Sequence, residues 1–229
     1  MSTATAATIM STKRSLTRLL QLASPALPVG AYSYSQGLET AIEAGVVRDA
    51  ASARGWIGDV LEFSVARMEA PVFLRLCAAW RSGDIAAAAR WNAFFLASRE
   101  TAELRAETAQ MGYSLEKLLA ALGAGEARIE EISFPAAFAR AVVAWDLDPG
   151  DALVAYLWAW LENQVIAAVK AVPLGQTEGQ GLLLALGERL EAAAARAGAL
   201  ADDDLANFAP GFALASARHE TQYSRLFRS

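Results

Sequence analysis

At 229 residues the chain is long enough for one domain with a sizeable core, and length alone does not require a second domain. Its net charge of −5 argues against a nucleic-acid binder, which needs a basic footprint to meet phosphates. A hydrophobic fraction of 55% beside a charged fraction of 20% leaves two interpretations open, a large core or apolar surface that is reserved for partner proteins.

Compartment and membrane signals are the next constraint. Cys77 is the only cysteine, so no intramolecular disulfide is possible, which fits a reducing compartment. The N-terminal residues lack the apolar stretch of a secretory signal. The most apolar segment, residues 152–161, is too short to span a bilayer. We therefore expect a soluble cytoplasmic protein.

The first half of the chain has helical periodicity with clear stops. A stripe of leucines over residues 16–22 ends at the two prolines and the glycine of segment 24–30. A second helix is expected from about Ser35 to Gly45. Asp49 is a good N-cap for the third, in which Pro71 predicts a kink or a restart.

The second half repeats these signals. Asp84 is a cap, and residues 101–122 carry a leucine-rich amphipathic stripe with most charges off it. Phe134-Pro135 and Asp148-Pro149 each start a helix; the latter runs to about Val172 and is apolar nearly all round, so it is expected at the centre of a bundle. The last long helix is predicted over residues 177–197.

The end of the chain and the absence of other patterns complete the fold prediction. Asp202–Asp204 are expected to cap a short helix, and no stretch alternates with the period of a strand. The prediction is one all-α domain, a helical bundle of roughly eight to ten helices with mobile termini. We place a disordered tail at residues 1–12, the helical domain at 13–208 and a C-terminal tail at 209–229.

Catalytic chemistry has few candidate residues. His219 is the only histidine, so one chain cannot supply a two-histidine metal site. Cys77 lies in an apolar helix, which favours an inert buried thiol over a nucleophile. No phosphate-binding glycine loop is present. We expect no enzyme, metal site or cofactor, with two alternatives left open: a small enzyme using Cys77 or His219, or one metal shared by two His219 side chains across a dimer.

Four segments carry a family resemblance. They are LLQLASPALPVGAYSYSQGLE at residues 19–39, the stretch from SRET to QMG at 98–112, NQ with KAVPLGQ within 163–176, and RHETQYSRLFRS at 218–229. In this order and at these distances they resemble the UreF family of urease accessory proteins. One departure is Ala136-Ala137 after Phe134-Pro135, where the family often has valine; only a packing adjustment is expected.

The resemblance implies a function through binding. UreF proteins are all-helical, dimerise, bind the accessory protein UreD (also called UreH) and help recruit the GTPase UreG. The assembly delivers nickel to apo-urease, whose active-site lysine must also be carbamylated. The chain is thus expected to be a non-catalytic scaffold that bridges UreD/UreH and UreG on apo-urease. The alternative is a regulator of the UreG GTPase that inserts an arginine, with Arg99, Arg105, Arg218 and Arg225 as candidates.

The matching segments supply the predicted partner-binding residues, which are Tyr32, Tyr34, Gln36, Glu39, Arg99, Glu100, Arg105, Lys170, Arg218, His219, Glu220, Tyr223, Arg225, Leu226 and Phe227. Tyrosines, and arginines beside aromatic residues, are common at interfaces. Alternatives stay open: the two tyrosines cover the core, Gln36 and Glu39 only start a helix, the charges near Arg99 form a solvated face, and Lys170 snorkels or pairs. The tail is expected to order on partner binding, or else to pack on its own domain.

Overall fold

Helices make up all the regular structure in residues 3–229, the part of the chain that the computed structural model describes, with side chains from Lys13 onward. No strand occurs in that part, which confirms the predicted all-α class. The α-helices are α1 (Thr3–Ala23), α2 (Leu38–Glu43), α3 (Ala50–Val60), α4 (Ala70–Ser82), α5 (Ile85–Ala97), α6 (Ala102–Ala121), α7 (Phe134–Ala144), α8 (Pro149–Ala171), α9 (Gln176–Gly187), α10 (Leu190–Ala199) and α11 (Pro210–His219). A π-helical segment, Leu61–Glu69, joins α3 to α4, so the described residues form ten continuous helices.

Acidic side chains begin the helices where the sequence predicted them. Asp49 Oδ1 accepts the Ser52 N–H at 2.8 Å, and Asp84 Oδ1 accepts the Ala87 N–H at 2.8 Å. Asp148 accepts the N–H groups two and three residues further on, at 2.8 and 2.9 Å. Each bond satisfies a donor that the first turn of a helix would otherwise leave unpaired, which explains why these boundaries follow from sequence.

The π segment is how the long helix accommodates Pro71. Proline has no N–H to donate, so the carbonyl of Arg67 loses its normal helical partner. In the structure that carbonyl accepts the Ala206 N–H at 3.4 Å, and the carbonyl of Phe63 accepts the Phe208 N–H at 2.9 Å. The predicted kink is therefore a widened stretch of helix on which the segment before α11 docks.

Helix α8 lies at the centre of the bundle, against α1, α2, α4, α9 and α10. It is long and apolar enough to cross a membrane by length and composition, but 56% of its most apolar window is buried within the protein, as in the core helix of a bundle. Its Tyr156 ring lies 5.1–5.5 Å from the rings of Phe73, Phe134 and Phe138. These aromatic contacts join α4, α7 and α8 into one core.

Two predicted helix boundaries are wrong. The helix expected over residues 177–197 is divided into α9 and α10, because the chain turns after Gly187. Glycine is a poor helix former, and a Cβ there would lie only 3.3 Å from the Trp158 ring. Asp202–Asp204 do not cap a helix; they form a 3₁₀ turn in which Asp202 pairs with Arg75 at 2.9 Å.

Both termini have structure in the described part of the chain, and their mobility stays a prediction. Helix α1 has helical backbone from Thr3, because its alanines favour helix, and residues 1–2 lie outside the described part of the chain. Residues 220–229, here named the C-terminal strap, follow α11 and pack on the domain. This is the arrangement that the sequence left open as the alternative to a free tail. Ordering on partner binding stays a prediction.

Candidate partner-binding site

The loop between α1 and α2, residues 24–37, is shaped by its prolines and glycines. Gly30 and Gly37 have φ values of 78° and 73°, the left-handed conformation that glycine adopts most easily. Gly37 also lies so close to α11 that a Cβ would be 2.9 Å from the Ser216 N. A side chain at that position would push α11 away from α2, so the glycine holds the C-terminal helix beside the loop.

The strap runs along this loop and is held by main-chain hydrogen bonds. The Arg228 N–H donates to the carbonyl of Ser33 at 2.8 Å. The carbonyl of Ser229 accepts three hydrogen bonds, from the N–H groups of Ser35 and Gln36 at 2.8 and 3.0 Å and from Ser35 Oγ at 2.6 Å. The predicted first and fourth family segments are thus one structural unit.

Glu39 fixes the strap from below. Its Oε1 accepts the Leu226 N–H at 2.6 Å and its Oε2 accepts the Phe227 N–H at 3.0 Å. Hydrogen bonds from backbone N–H groups to a buried carboxylate are stronger than those between neutral groups. They align the strap so that Phe227 is buried while Leu226 next to it is exposed.

His219 is fully buried between two carboxylates. Its Nδ1 lies 2.6 Å from Glu103 Oε2, and its Nε2 lies 3.4 Å from Glu39 Oε2. Arg225 donates to the other oxygen of Glu103. Because both ring nitrogens face carboxylates, the imidazole links the end of α11 to α2 and α6.

Glu107 is the least expected member of this network. Its Oε1 accepts from Gln36 Nε2 at 2.7 Å and its Oε2 accepts from Ser229 Oγ at 2.6 Å. Burial is the main reason that the pKa of Glu107 is raised to about 7, and the two hydrogen bonds only partly offset it. Gln36 in turn accepts from Trp160 Nε1 at 2.8 Å, which ties the loop to α8.

The exposed residues around this network lie along the loop, the strap and the end of α8. Tyr32 is 64% exposed and Leu226 is 74% exposed, and Tyr223 and Arg225 also reach solvent. Lys170 Nζ lies 5.9 Å from the ring centres of both Tyr32 and Phe227, so the end of α8 meets the loop and the strap. We name Tyr32, Lys170, Tyr223, Arg225 and Leu226 the strap–loop surface.

Five other predicted residues lie beneath or within that region. Tyr34, Glu39, His219 and Phe227 are buried and Gln36 is half-buried, so in this chain they support the surface rather than form it. For Tyr34 this matches the alternative of a core tyrosine. Its pKa is raised by burial and then by the Glu107 carboxylate, while a hydrogen bond from Arg228 lowers it. Arg218 and Glu220 are exposed at the end of α11.

Arg99, Glu100 and Arg105 are not brought onto this surface. Arg99 is buried beside Glu69 at 3.5 Å and its guanidinium lies 4.2 Å from the centre of the Phe95 ring. Arg105 pairs with Glu131 at 2.6 Å, and both side chains are about half exposed. Glu100 is half-buried. These charges do not form one patch with the strap.

Sequence reasoning missed several members of the network, namely Ser35, Glu103, Glu107, Trp160, Gln164 and Ser229. The stripe predicted over residues 101–122 left most charges on the opposite face, but Glu107 lies on the stripe itself. It lies three residues after Leu104 and four before Met111, both buried, and that spacing puts it on the same face. The helical period was therefore a sufficient signal, but a carboxylate is not expected in a core.

Reactive groups outside the network are few among the described residues. No three His, Cys, Asp or Glu side chains there are arranged to hold a metal ion. Cys77 is buried, and burial raises the pKa of its thiol to about 12. A thiol with that pKa is almost entirely protonated at neutral pH and is a poor nucleophile.

Comparisons with known proteins agree with this architecture. The family model UreF matches residues 47–187. The chain belongs to the UreF family of urease accessory proteins. A urease accessory protein UreF of Azoarcus sp. (strain BH72) is 61% identical over 93% of this chain and 95% of the relative. Those of Dechloromonas aromatica (strain RCB) and Methylobacillus flagellatus are 54% and 52% identical, each over 96% of this chain and 100% of the relative.

Proposed function

We propose that the chain is a scaffold for urease maturation that bridges UreD/UreH and the GTPase UreG on apo-urease, so that nickel reaches the urease centre. The observation that carries the proposal is the strap–loop surface, where aromatic, apolar and basic side chains from three chain segments are exposed together over a hydrogen-bonded network. Aromatic residues and arginine are enriched at protein interfaces. Because the chain belongs to the UreF family, the partners we expect for this surface are the other proteins of the urease maturation assembly.

The same observations support a role without catalysis. The Cys77 thiol is buried and protonated, and both ring nitrogens of His219 face carboxylates in a site with no solvent access. Neither group is placed to act on a substrate. Normal urease maturation with the Cys77→Ala variant would agree with this role. Loss of urease activation by a Cys77→Ala variant that still forms the complex with UreD and UreG would contradict it.

The scaffold proposal is tested by exposed side chains whose removal does not touch the core. Tyr32→Ala and Leu226→Ala should each weaken co-purification with UreD by at least about tenfold, the scale of an interface residue worth about 1.4 kcal/mol. Tyr113→Ala and Leu122→Ala are matched controls, because these side chains are 57% and 51% exposed within and directly after α6 and belong to no proposed interface. Equal retention of UreD by all four variants would refute the proposed surface. Deletion from Arg218 onward is less informative, since it removes the buried His219 and Phe227.

A second candidate function is the insertion of an arginine into the UreG active site. The ion pairs reduce the number of candidate arginines for this role. Arg99, Arg105 and Arg225 each pair with a carboxylate. Within the described residues Arg218 is exposed and belongs to no ion pair, so it is the arginine best placed to reach a partner. UreG turnover should then be stimulated by the native chain with UreD and not by Arg218→Ala. Stimulation that is unchanged in Arg218→Ala would remove this candidate.

We also propose that the chain acts in the cytoplasm as a homodimer. The buried position of α8 supports the first point, since among the described residues it is the one helix both long and apolar enough to span a membrane, and most of it is used as core. Exposed Trp158 and Leu184 on the adjoining α8 and α9 offer apolar area for the second. Sedimentation at micromolar concentration should give twice the chain mass, and Leu184→Glu should reduce it. A chain that sediments as a monomer would contradict the dimer.

A further inference from the structure

A cleft of about 90 Å³ opens beside the strap–loop surface and runs into the core between α1, the π segment, α5, α6 and α8. A cavity needs roughly 10–15 Å³ of such space to hold one water molecule, so this cleft has room for one unbranched side chain. Pro25, Tyr32 and Glu162 reach solvent and form its rim. The Arg99 side chain, which is 8% exposed, and the buried Glu107 form its floor. Tyr32 therefore belongs both to the strap–loop surface and to the mouth of the cleft.

The walls of the cleft are apolar and aromatic. They include Leu22, Val65, Phe95, Met111, Phe134 and Trp160. Such walls favour the aliphatic stem of a long side chain over water. Aromatic faces also attract cations, as the guanidinium of Arg99 over the Phe95 ring at 4.2 Å illustrates.

Carboxylates outnumber cations among the residues that line the cleft. Glu162 stands at the rim and Glu69 and Glu107 line the interior, while Arg99 is the one basic residue in the lining. Arg99 is already paired with Glu69. Among the described residues neither Glu107 nor Glu162 forms an ion pair, and burial raises the pKa of both carboxyls. The cleft is thus complementary to a positive charge.

Acceptor capacity remains at the inner end. Each oxygen of Glu107 accepts one hydrogen bond, from Gln36 or Ser229, and a carboxylate oxygen has two lone-pair positions. Glu69 accepts from the Tyr156 hydroxyl and faces Arg99 at 3.5 Å. An ammonium or guanidinium group placed there would find free acceptors.

We propose that this cleft receives one lysine or arginine side chain of the partner protein that docks on the strap–loop surface. The stem lies between the apolar walls and the charged end reaches Glu107 and Glu69, after passing Glu162 at the rim. The inference rests on the proposed scaffold function, which it extends by assigning the partner a protruding basic residue.

The cleft itself is tested with small probes and the whole chain. n-Butylammonium and n-propylguanidinium should shift amide NMR signals of cleft residues and bind at least tenfold more tightly than neutral 1-butanol. Glu107→Gln should lower the affinity for the cationic probes severalfold, and Ala159→Phe should abolish their binding by filling the cleft. Glu188→Gln on the exposed surface should leave the affinity for the probes unchanged. No binding of the cations, or equal binding of 1-butanol, would overturn the proposal.

The partner experiment separates this inference from the scaffold proposal. Ala159→Phe and Glu107→Gln should each weaken UreD binding at least tenfold with unchanged circular dichroism. If Ala159→Phe fails to fold, Glu162→Gln at the rim takes its place, since it removes charge without adding volume. UreD binding that is lost in Tyr32→Ala but unaffected in every cleft variant would overturn the cleft inference alone. Binding unaffected by Tyr32→Ala and Leu226→Ala would refute the scaffold surface.

Discussion

Two buried arginines differ sharply in how well their hydrogen-bonding groups are satisfied. Arg140 donates from Nε to Glu116 at 2.7 Å and from its two terminal nitrogens to the carbonyls of Ala124 and Gly125 at 3.0 and 3.2 Å. Arg99 lies 3.5 Å from Glu69, and within the described residues its Nε has no hydrogen-bond partner. A buried guanidinium with an unpaired donor costs free energy, so the second site is the unusual one.

The surroundings of the two arginines explain the difference. Arg140 closes the connection between α6 and α7 over a tightly packed crossing, where a Cβ on Gly112 would lie only 2.1 Å from the Ile132 carbonyl oxygen. Arg99 borders the cleft that opens at Tyr32. The arginine with all its donors paired joins α6 to α7, whereas the arginine with an unpaired donor borders the cleft that we propose receives a partner side chain.

The largest effect is expected at the saturated site. Arg140→Met should lower the free energy of unfolding by about 3–5 kcal/mol. The substitution leaves the Glu116 carboxylate, whose side chain is only 13% exposed, with the Ala127 N–H as its remaining donor, and it removes the donors to the carbonyls of Ala124 and Gly125. Arg189→Met, which removes an exposed arginine 3.6 Å from Glu62, should cost about 1 kcal/mol or less. Urea unfolding of both variants measures the difference. Equal losses would mean that Arg140 is not a structural clamp.

Substitution of Glu107 should have the second-largest effect on stability, and at high pH it should stabilise the protein instead of destabilising it. Its pKa is raised from an ordinary value of 4.5 to about 7, so its contribution to stability is fully present below pH 4.5 and is lost as pH rises through 7. Glu107→Gln mimics the neutral form while Glu69, Arg99 and Tyr34 stay in place around it. At pH 8 the free energy of unfolding of this variant should exceed that of the native chain by up to about 3 kcal/mol.

At pH 4.5 the same substitution should change stability little, and Glu188→Gln should be neutral at both pH values. Thermal melts from pH 4.5 to 8 provide the measurement. A Glu107→Gln variant that is less stable than the native chain at pH 8 would show that the buried group is held ionised.

The smallest effect is expected at Arg99. Arg99→Met should cost about 1–2 kcal/mol, because the ion pair to Glu69 is long and the Tyr156 hydroxyl still donates to that carboxylate. A loss as large as that of Arg140→Met would erase the contrast between the two sites. Urea unfolding alongside Arg140→Met settles the comparison.

Much of the fold follows from local chemistry that the sequence displays. Asp49, Asp84 and Asp148 cap helices as predicted, since a cap depends on residues one turn apart. The turn after Gly187 was missed, because it depends on the distant Trp158 ring. Helical periodicity cannot show contacts made by tertiary packing.

The sequence predicted which segments form the site but not which of their residues are buried. Tyr32, Lys170 and Leu226 are exposed where the strap, the loop and the end of α8 meet, but Tyr34, Glu39 and His219 lie beneath them. Their carboxylate partners Glu103 and Glu107 come from α6, and the His219 imidazole beside Glu39 comes from α11. Both helices lie more than 60 residues away from the loop in sequence. No local pattern joins such positions, so the buried network could not be read from spacing.

The central claim, that the strap must be held in place for the partner surface to exist, is tested most directly by Glu39→Gln. An amide retains one acceptor oxygen for the two strap N–H groups that the carboxylate accepts. The measurement is UreD affinity together with hydrogen exchange of the Leu226 and Phe227 amides. We predict faster exchange and at least about tenfold weaker binding in Glu39→Gln, whereas Tyr32→Ala weakens binding with exchange unchanged. Faster exchange with native affinity in Glu39→Gln would contradict the account.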